Sequence, residues 1–328
     1  MIELPERLDG FMARANTAYY TSHDPFADFT TAPEIAQMFG EVLGAWAAVC
    51  WRMMDRPAPI LLVEAGPGRG TLMADALRPL PRVAPEFRTA LRLHLIETSP
   101  RLRETQAAVL PGATWHDSLA TLPDGPILLI ANEFLDALPI RQFVGRAAQW
   151  LERWVAGGAW VELPTADPPK WPAAEGTVIE RGEAAGGWIA ALARRLAIQG
   201  GAALLLDYGP RRSAPGDSLQ GLRAGARADP LGAPGETDLT AHVDFEALAA
   251  AAGAQGAAVH GPIPQGALLE RLGFYVRTQR LARTLPPASA LALMDAAHRL
   301  AQPERMGALF KAMAICHPAL PAPPGFEP

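Results

Sequence analysis

Three stretches of the chain are apolar at every position and then stop on a polar residue. They are Ile60–Val63 before Glu64, Pro126–Ala131 before Asn132-Glu133, and Ala202–Leu206 before Asp207. Runs of this length with no polar face read as parallel strands buried on both sides. Leu91–Ile96 is a more alternating strand that ends at Glu97, and Thr114–His116 is a short one that ends at Asp117. Between them the period changes to that of helices. Ile35, Met38, Phe39, Val42, Leu43 and Trp46 form one apolar stripe, started by Thr31, Pro33 and Glu34 in a capping-box arrangement. Further helices are expected over Asp9–Tyr20, after Thr98-Ser99-Pro100 through Gln106, over Ala184–Leu196, from Asp238–Phe245 onward, over Gly266–Arg283 and over Pro286–Leu300. A turn is expected at Asp24-Pro25. Gln142–Gly145, Trp150–Val155 and Trp160–Leu163 read as an inserted antiparallel meander. Met306–Ile315 reads as a final antiparallel strand at the sheet edge, Pro210–Thr240 as a long loop, and the proline-rich end as a frayed tail. Strands and helices in this alternation predict a doubly wound α/β sheet.

The link after the first apolar run carries the clearest chemistry. Gly66, Gly68 and Gly70 stand at alternate positions, two places after Glu64, and Thr71–Leu77 continues as a helix. Glycines there permit unusual φ/ψ and let a ligand approach bare backbone. A dinucleotide fold spaces them G-x-G-x-x-G. The tighter G-x-G-x-G is expected of class I S-adenosylmethionine (SAM) methyltransferases, whose cofactor has no phosphate. The alternative is a glycine-rich connection that binds nothing. Glu97, at the tip of the next strand, is expected to accept hydrogen bonds from the ribose hydroxyls; otherwise it is a solvated strand end. Asp117 reads as a partner for the adenine amino group or as a turn residue. Asn132, Glu133 and Asp136 follow the central run, where polar groups overlie the ligand crevice. Asn132 and Asp136 also suit helix capping, and the two roles are compatible. His242 reads either as a structural hydrogen-bonding group or as a site residue.

Composition narrows this further. The 328 residues are 49% hydrophobic with a net charge of −5, and no basic run exceeds two arginines. A folded chain that does not bind nucleic acid is expected. Cys50 and Cys316 read as buried free thiols, no metal site is expected, and no window is apolar enough to span a membrane. The first residues resemble neither a signal peptide nor a transit peptide, from which a cytoplasmic, bacterial-like protein is expected.

Five stretches together resemble the MidA-like family of SAM-dependent methyltransferases. They are Asp28–Glu34 with Phe39–Glu41; Glu64–Asp75; Glu97–Arg103; Asn132–Pro139; and Asp207–Gly209 through Pro234–Phe245 to Met306–Lys311. Ala27, Leu135 and Gly225 stand where the family usually shows Gly, Phe and His. The mitochondrial members of that family are arginine methyltransferases that assist assembly of respiratory complex I. The resemblance implies a Rossmann-like sheet under a helical cap (1–58), a catalytic domain (59–316) with insertions near 140–200 and 210–300, and a tail (317–328). It implies SAM as cofactor, a protein acceptor such as a respiratory-complex subunit, and no membrane span; homodimerisation is left open. Tyr20, Thr31, Glu64, Gly66, Gly68, Gly70, Glu97, Asp117 and Asn132 are expected at the cofactor, and Glu133, Asp136 and His242 at the acceptor. A guanidinium spreads its charge over three nitrogens and is a poor nucleophile, so paired carboxylates would orient it. The competing readings are a methyltransferase of small metabolites and a noncatalytic assembly factor that binds SAM and a partner.

Overall fold

Residues that are apolar at consecutive positions have no face to offer to water, and they end up side by side in the middle of one sheet. The computed structural model describes residues 4–23 and 30–327. The Asp24-Pro25 turn, Ala27 and the first part of the Asp28–Glu34 stretch lie outside the described residues.

Along the chain, β1 (Glu6–Arg7) leads into α1 (Leu8–Ser22), and α2 (Ala32–Ile35) and α3 (Gln37–Met53) precede β2 (Ile60–Ala65). Then come α4 (Thr71–Leu77), α5 (Leu80–Val83), α6 (Pro85–Ala90), β3 (Leu91–Ile96), α7 (Pro100–Val109), β4 (Thr114–His116) and β5 (Ile127–Asn132). Four strands follow, β6 (Arg141–Arg146), β7 (Gln149–Ala156), β8 (Ala159–Pro164) and β9 (Val178–Arg181), then α8 (Glu183–Gln199) and β10 (Gly201–Tyr208). Next are β11 (Gln220–Arg223), β12 (Ala226–Ala228), β13 (Asp238–Thr240), α9 (Phe245–Gly253) and β14 (Ala258–Pro264). The chain closes with α10 (Gln265–Arg271), α11 (Phe274–Ala282), α12 (Pro287–Ala301) and β15 (Phe310–Cys316).

Contacts divide the chain into two units. One comprises Met1–Phe29, Leu135–Trp188 and Arg212–Leu248; the other comprises Thr30–Phe134, Ile189–Arg211 and Ala249–Pro328. The expected cap over 1–58 is therefore split, with α1 in the first unit and α2 and α3 in the second.

The second unit holds the seven-stranded sheet, in the order β14-β15-β10-β5-β2-β3-β4. β10, β5, β2, β3 and β4 run parallel; β15 is antiparallel to β10, and β14 is antiparallel to β15 and so points the same way as the other five. From β2 the chain builds outward to β3 and β4, then crosses back to β5 and β10. The order thus reverses between β2 and β5, the switch point where ligand crevices open beyond the strand tips. α3 covers this sheet with Phe39, Leu43 and Trp46, all buried together with Ile60, Leu62, Leu128 and Ile130. It also sits hard against α4. A Cβ on Gly40 would lie 2.6 Å from the Leu72 carbonyl oxygen, and one on Gly44 would lie 2.5 Å from that of Ala76. Backbone contact this close fixes α4, the helix that the glycine turn opens.

The first unit holds two antiparallel sheets. One is five-stranded, β1-β7-β6-β9 with β8 on the other edge of β7, and the other is β12-β11-β13. Leu8, Phe11, Met12 and Ala15 of α1 bury against Ile140, Val155, Leu231, Leu239 and Ala241. Buried Asn16 donates to the Ala137 and Leu239 carbonyls and accepts from the Leu239 N–H, so no polar atom is left over.

Several expectations change. The helix expected from Thr31 is two helices, with Ala36 extended between them. The capping box does not form: the Thr31 side chain caps nothing, and Glu34 instead accepts the Thr71 hydroxyl at 2.5 Å. β15 is not the edge, because β14 covers it. The 210–240 loop contains β11, β12 and β13, and Gly225 (φ +73°) is a turn residue between β11 and β12. Asp238–Thr240 is strand, so the alanine-rich helix starts at Phe245. Gly273 (φ +77°) breaks the helix expected over Gly266–Arg283 into α10 and α11. The tail is tied down: Phe326 is buried in the core, and Arg271 donates to the Gly325 carbonyl.

Candidate active site

The link from β2 to α4 takes the form that alternate glycines allow. Gly66, Gly68 and Gly70 have φ of +65°, +55° and +82°. Gly70 caps α4 in the left-handed region, where a side chain would be strained. The Gly66 N–H donates to the Ile96 carbonyl, which ties the turn to the tip of β3, and a Cβ on Gly66 would lie 2.8 Å from the Phe134 ring.

Two polar atoms beside this turn are buried with no partner among the described residues, Glu64 Oε2 and Asn132 Oδ1. Leaving a buried acceptor unmet costs about 1–3 kcal/mol, more for a charged one, so such a pair marks a place for a donor. Burial, helped by the nearby Glu97 charge, pushes the Glu64 carboxyl up to about 8. Glu97 is nearly as buried, and its oxygens accept the Ser99 N–H at 2.8 Å and the Gln106 amide at 3.1 Å. Burial raises its pKa, opposed by those hydrogen bonds. The two oxygens together offer about four acceptor sites, which leaves room for a hydroxyl donor. A cofactor with positive charge, an ammonium group and a ribose diol fits this acceptor set and this bare turn. Asp117 is less engaged with the interior: its side chain is 77% exposed and pairs with Arg103 at 2.5 Å.

The tip of β5 is unusual in its backbone. Glu133 has φ +50°, a conformation that few non-glycine residues adopt. Its N–H donates to the Leu206 carbonyl, and its Oε1 accepts the Ala32 N–H at 2.9 Å and the Asn132 amide at 3.1 Å. Beside it, fully buried Asp207 accepts the Phe134 and Tyr208 N–H groups. Strain of this kind persists where the surroundings over-determine it, and it gathers at functional sites. Thr31, directly before Ala32, is half-buried.

The second unit thus contains Thr31, Glu64, Gly66, Gly68, Gly70, Glu97, Asp117, Asn132 and Glu133. Tyr20, Asp136 and His242 belong to the first unit, so the expected carboxylate pair is divided between the two. Tyr20 donates its hydroxyl to Asp238 at 2.8 Å. Burial and the Asp238 and Asp136 carboxylates hold its pKa well above the ordinary value, so it stays a donor. Asp136 is buried and its carbonyl accepts the Ala241 N–H, whereas the His242 side chain is exposed and its N–H donates to the Ser218 hydroxyl. Sequence reasoning passed over Gln106 and Asp238. The position of Gln106 within an ordinary helix stripe gave no signal, but Asp238 lies inside the quoted Pro234–Phe245 stretch.

A model of the S-adenosyl-L-methionine-dependent methyltransferase family matches residues 42–263. The chain is 32% identical to the mitochondrial protein arginine methyltransferase NDUFAF7 of Danio rerio, covering 92% of this chain and 80% of the relative. It is 31% identical to the Homo sapiens protein of that name, covering 96% and 80%. Among solved structures, a Burkholderia thailandensis protein bound to S-adenosyl-homocysteine superposes with a TM-score of 0.80 at 25% identity, over 98% of this chain and 90% of that one. Both relatives are mitochondrial by name, which corrects the cytoplasmic placement expected from the sequence. No helix among the described residues is long and apolar enough to cross a membrane.

Proposed function

The chain belongs to this family of SAM-dependent methyltransferases, and on that premise we propose that it methylates an arginine guanidinium of a partner protein. Bound SAM supplies a methyl group activated by the sulfonium. The protein's part is to hold the cofactor and to bring the acceptor nitrogen into line in a dry pocket. Gly66, Gly68 and Gly70 offer backbone, Glu97 accepts from the ribose, and Glu64, Thr31 and Asn132 complete the cofactor contacts, with Asp117 toward the adenine.

The acceptor reading is carried by Glu133. Its carboxylate stands at the tip of a central strand, where one oxygen accepts the Ala32 N–H and the Asn132 amide, and it is the group we assign to the acceptor cation. Gripping a guanidinium would orient its free nitrogen and stabilise the cation that remains after transfer. The naming of relatives as protein arginine methyltransferases supports the same acceptor, and a respiratory-complex subunit is the first partner to test. The test is Glu133→Gln, with SAM affinity by calorimetry and methyl transfer from labelled SAM to partner protein. SAM affinity stays within twofold and kcat/KM falls at least about tenfold, or ~1.4 kcal/mol. Undiminished transfer to partner protein would remove Glu133 from the acceptor site. Asp136→Asn and His242→Ala, assayed alongside, ask whether those residues of the first unit take part.

A further inference from the structure

Gln106 of α7 is fully buried, and all of its amide atoms are engaged. Its Oε1 accepts the Trp115 indole N–H at 2.8 Å. Its Nε2 donates to the Gly68 carbonyl at 2.8 Å and to Glu97 Oε2 at 3.1 Å. An indole can only donate, so Trp115 decides which way the amide faces and turns both N–H groups toward the cofactor side. Gly68 and Glu97 are 29 positions apart in sequence and belong to different βα links. The Gln106 amide bonds to both.

We propose that Gln106 is a positioning residue for SAM, joining the glycine turn to the ribose carboxylate, with Trp115 as the group that orients it. This rests on the assignment of Glu97 to the cofactor. A carboxylate and a turn held to one rigid amide need no reorganisation when the cofactor arrives. Apolar packing would fill the same space but leave the Gly68 carbonyl and Glu97 Oε2 each short of a donor. The other groups that act on the Glu97 carboxylate are the Ser99 and Thr98 N–H groups and the Arg103 guanidinium, all of which favour its ionised form, and Glu64, with which it repels. Losing the amide donor would therefore raise the pKa of Glu97 further.

The test is Gln106→Met, which keeps length and removes both donors, with SAM binding measured by calorimetry from pH 5.5 to 8.5. Affinity at neutral pH is expected to fall about tenfold, and the acid limb of the binding profile to move to higher pH. In a Glu97→Ala background the same substitution should cost less than about threefold, because most of its action passes through that carboxylate. A folded Gln106→Met protein with SAM affinity within twofold of the parent, or an equal loss with and without Glu97, overturns the proposal. If Gln106→Met does not fold, Trp115→Phe takes its place: a weaker loss of about threefold supports the relay, and unchanged affinity overturns it. Normal SAM binding by Glu97→Ala alone would instead overturn the assignment of Glu97, whatever Gln106 does.

Discussion

Carboxylates are held differently at the tips of the parallel strands and in the antiparallel sheet of the other unit. At the tips the hydrogen bonds include neutral donors: Glu97 takes a backbone N–H and an amide, with the Arg103 charge nearby, Glu133 takes the same pair of groups, and Asp207 takes two backbone N–H groups. In the antiparallel sheet several carboxylates are matched by arginines, although Glu180 of β9 accepts from the Gln142 amide and the Leu219 N–H. Arg141 grips Glu152 with two hydrogen bonds of 2.7 and 2.9 Å, reaches Glu183 at 2.8 Å and lies over the Phe143 ring. Arg146 pairs with Glu162, and Arg153 with Asp217. A carboxylate matched to an arginine has spent its charge inside the protein. One steadied by neutral dipoles is fixed in place and still attracts a cation, which is what a sulfonium cofactor and a guanidinium acceptor require. Location decides more than unit does. Glu41, on α3 of the second unit, is buried and held by Arg277 and Arg78. Asp117 is the exception among the tips, since it pairs with Arg103 at 2.5 Å.

The largest effect is expected where a matched pair is broken. Arg141 and Glu152 are both nearly inaccessible, with side chains 8% and 5% exposed. Arg141→Met leaves Glu152 buried without its cation and should cost about 3–5 kcal/mol of stability, read by urea denaturation. Replacing both, as Arg141→Met with Glu152→Leu, should recover most of that loss, because the desolvation penalty of the pair goes with it. SAM affinity of the folded fraction should not move. A loss of SAM affinity in these variants would mean that the arginine network serves the cofactor as well, and the contrast between the regions would fail.

Next in size is Glu97→Ala. Removing a charged acceptor from two hydroxyls should weaken SAM by about 2–4 kcal/mol, taking ~1.5–3 for each charge-assisted bond and allowing for water re-entry. Stability should change little or improve, since a carboxylate whose pKa burial already raises is itself an unfavourable group to bury. An affinity within twofold of the parent would leave this tip with no ligand to explain its design.

The same contrast explains which parts of the molecule were legible in the sequence. β2, β5 and β10 declare themselves because a strand buried on both faces tolerates only apolar residues, and their polar tips stand out against that background. The glycine turn is legible because its φ values leave few alternatives. β14 was missed because His260, Gly261, Pro262 and Pro264 interrupt it; an edge strand with a bulge accepts prolines that a central strand would not. β11–β13 are three or four residues long, too short to show a period. The tail looked frayed by composition, yet one aromatic, Phe326, is enough to bring it back to the core. Glu133 was found as a polar tip, but its left-handed backbone has no mark in a sequence that places glutamate there. Gln106 was hidden because a buried amide is defined by what surrounds it.

The smallest effect, and the one that bears most directly on charge held in reserve, concerns Glu64. Its carboxyl is pushed up to about 8 by burial and by Glu97, against a usual value of 4.5, so near neutrality the cofactor-free protein holds a proton there. Because the folded value lies above the unfolded one, the group's contribution to stability is fully present below about 4.5 and is lost as pH rises through 8. Binding of a cation should reverse that preference by favouring the ionised form and so releasing the proton. SAM affinity is then expected to rise with pH up to about 8 and level off above it, by no more than about tenfold per unit, or ~1.4 kcal/mol. Calorimetry in two buffers of different ionisation enthalpy at pH 7 should report release of a fraction of a proton per SAM bound. Glu64→Gln, which keeps the shape without the charge, should abolish that release while leaving the pH dependence that belongs to Glu97. Equal apparent enthalpies in the two buffers for the unaltered protein would mean that Glu64 keeps its proton in the complex. The unpartnered oxygen would then serve as a neutral acceptor.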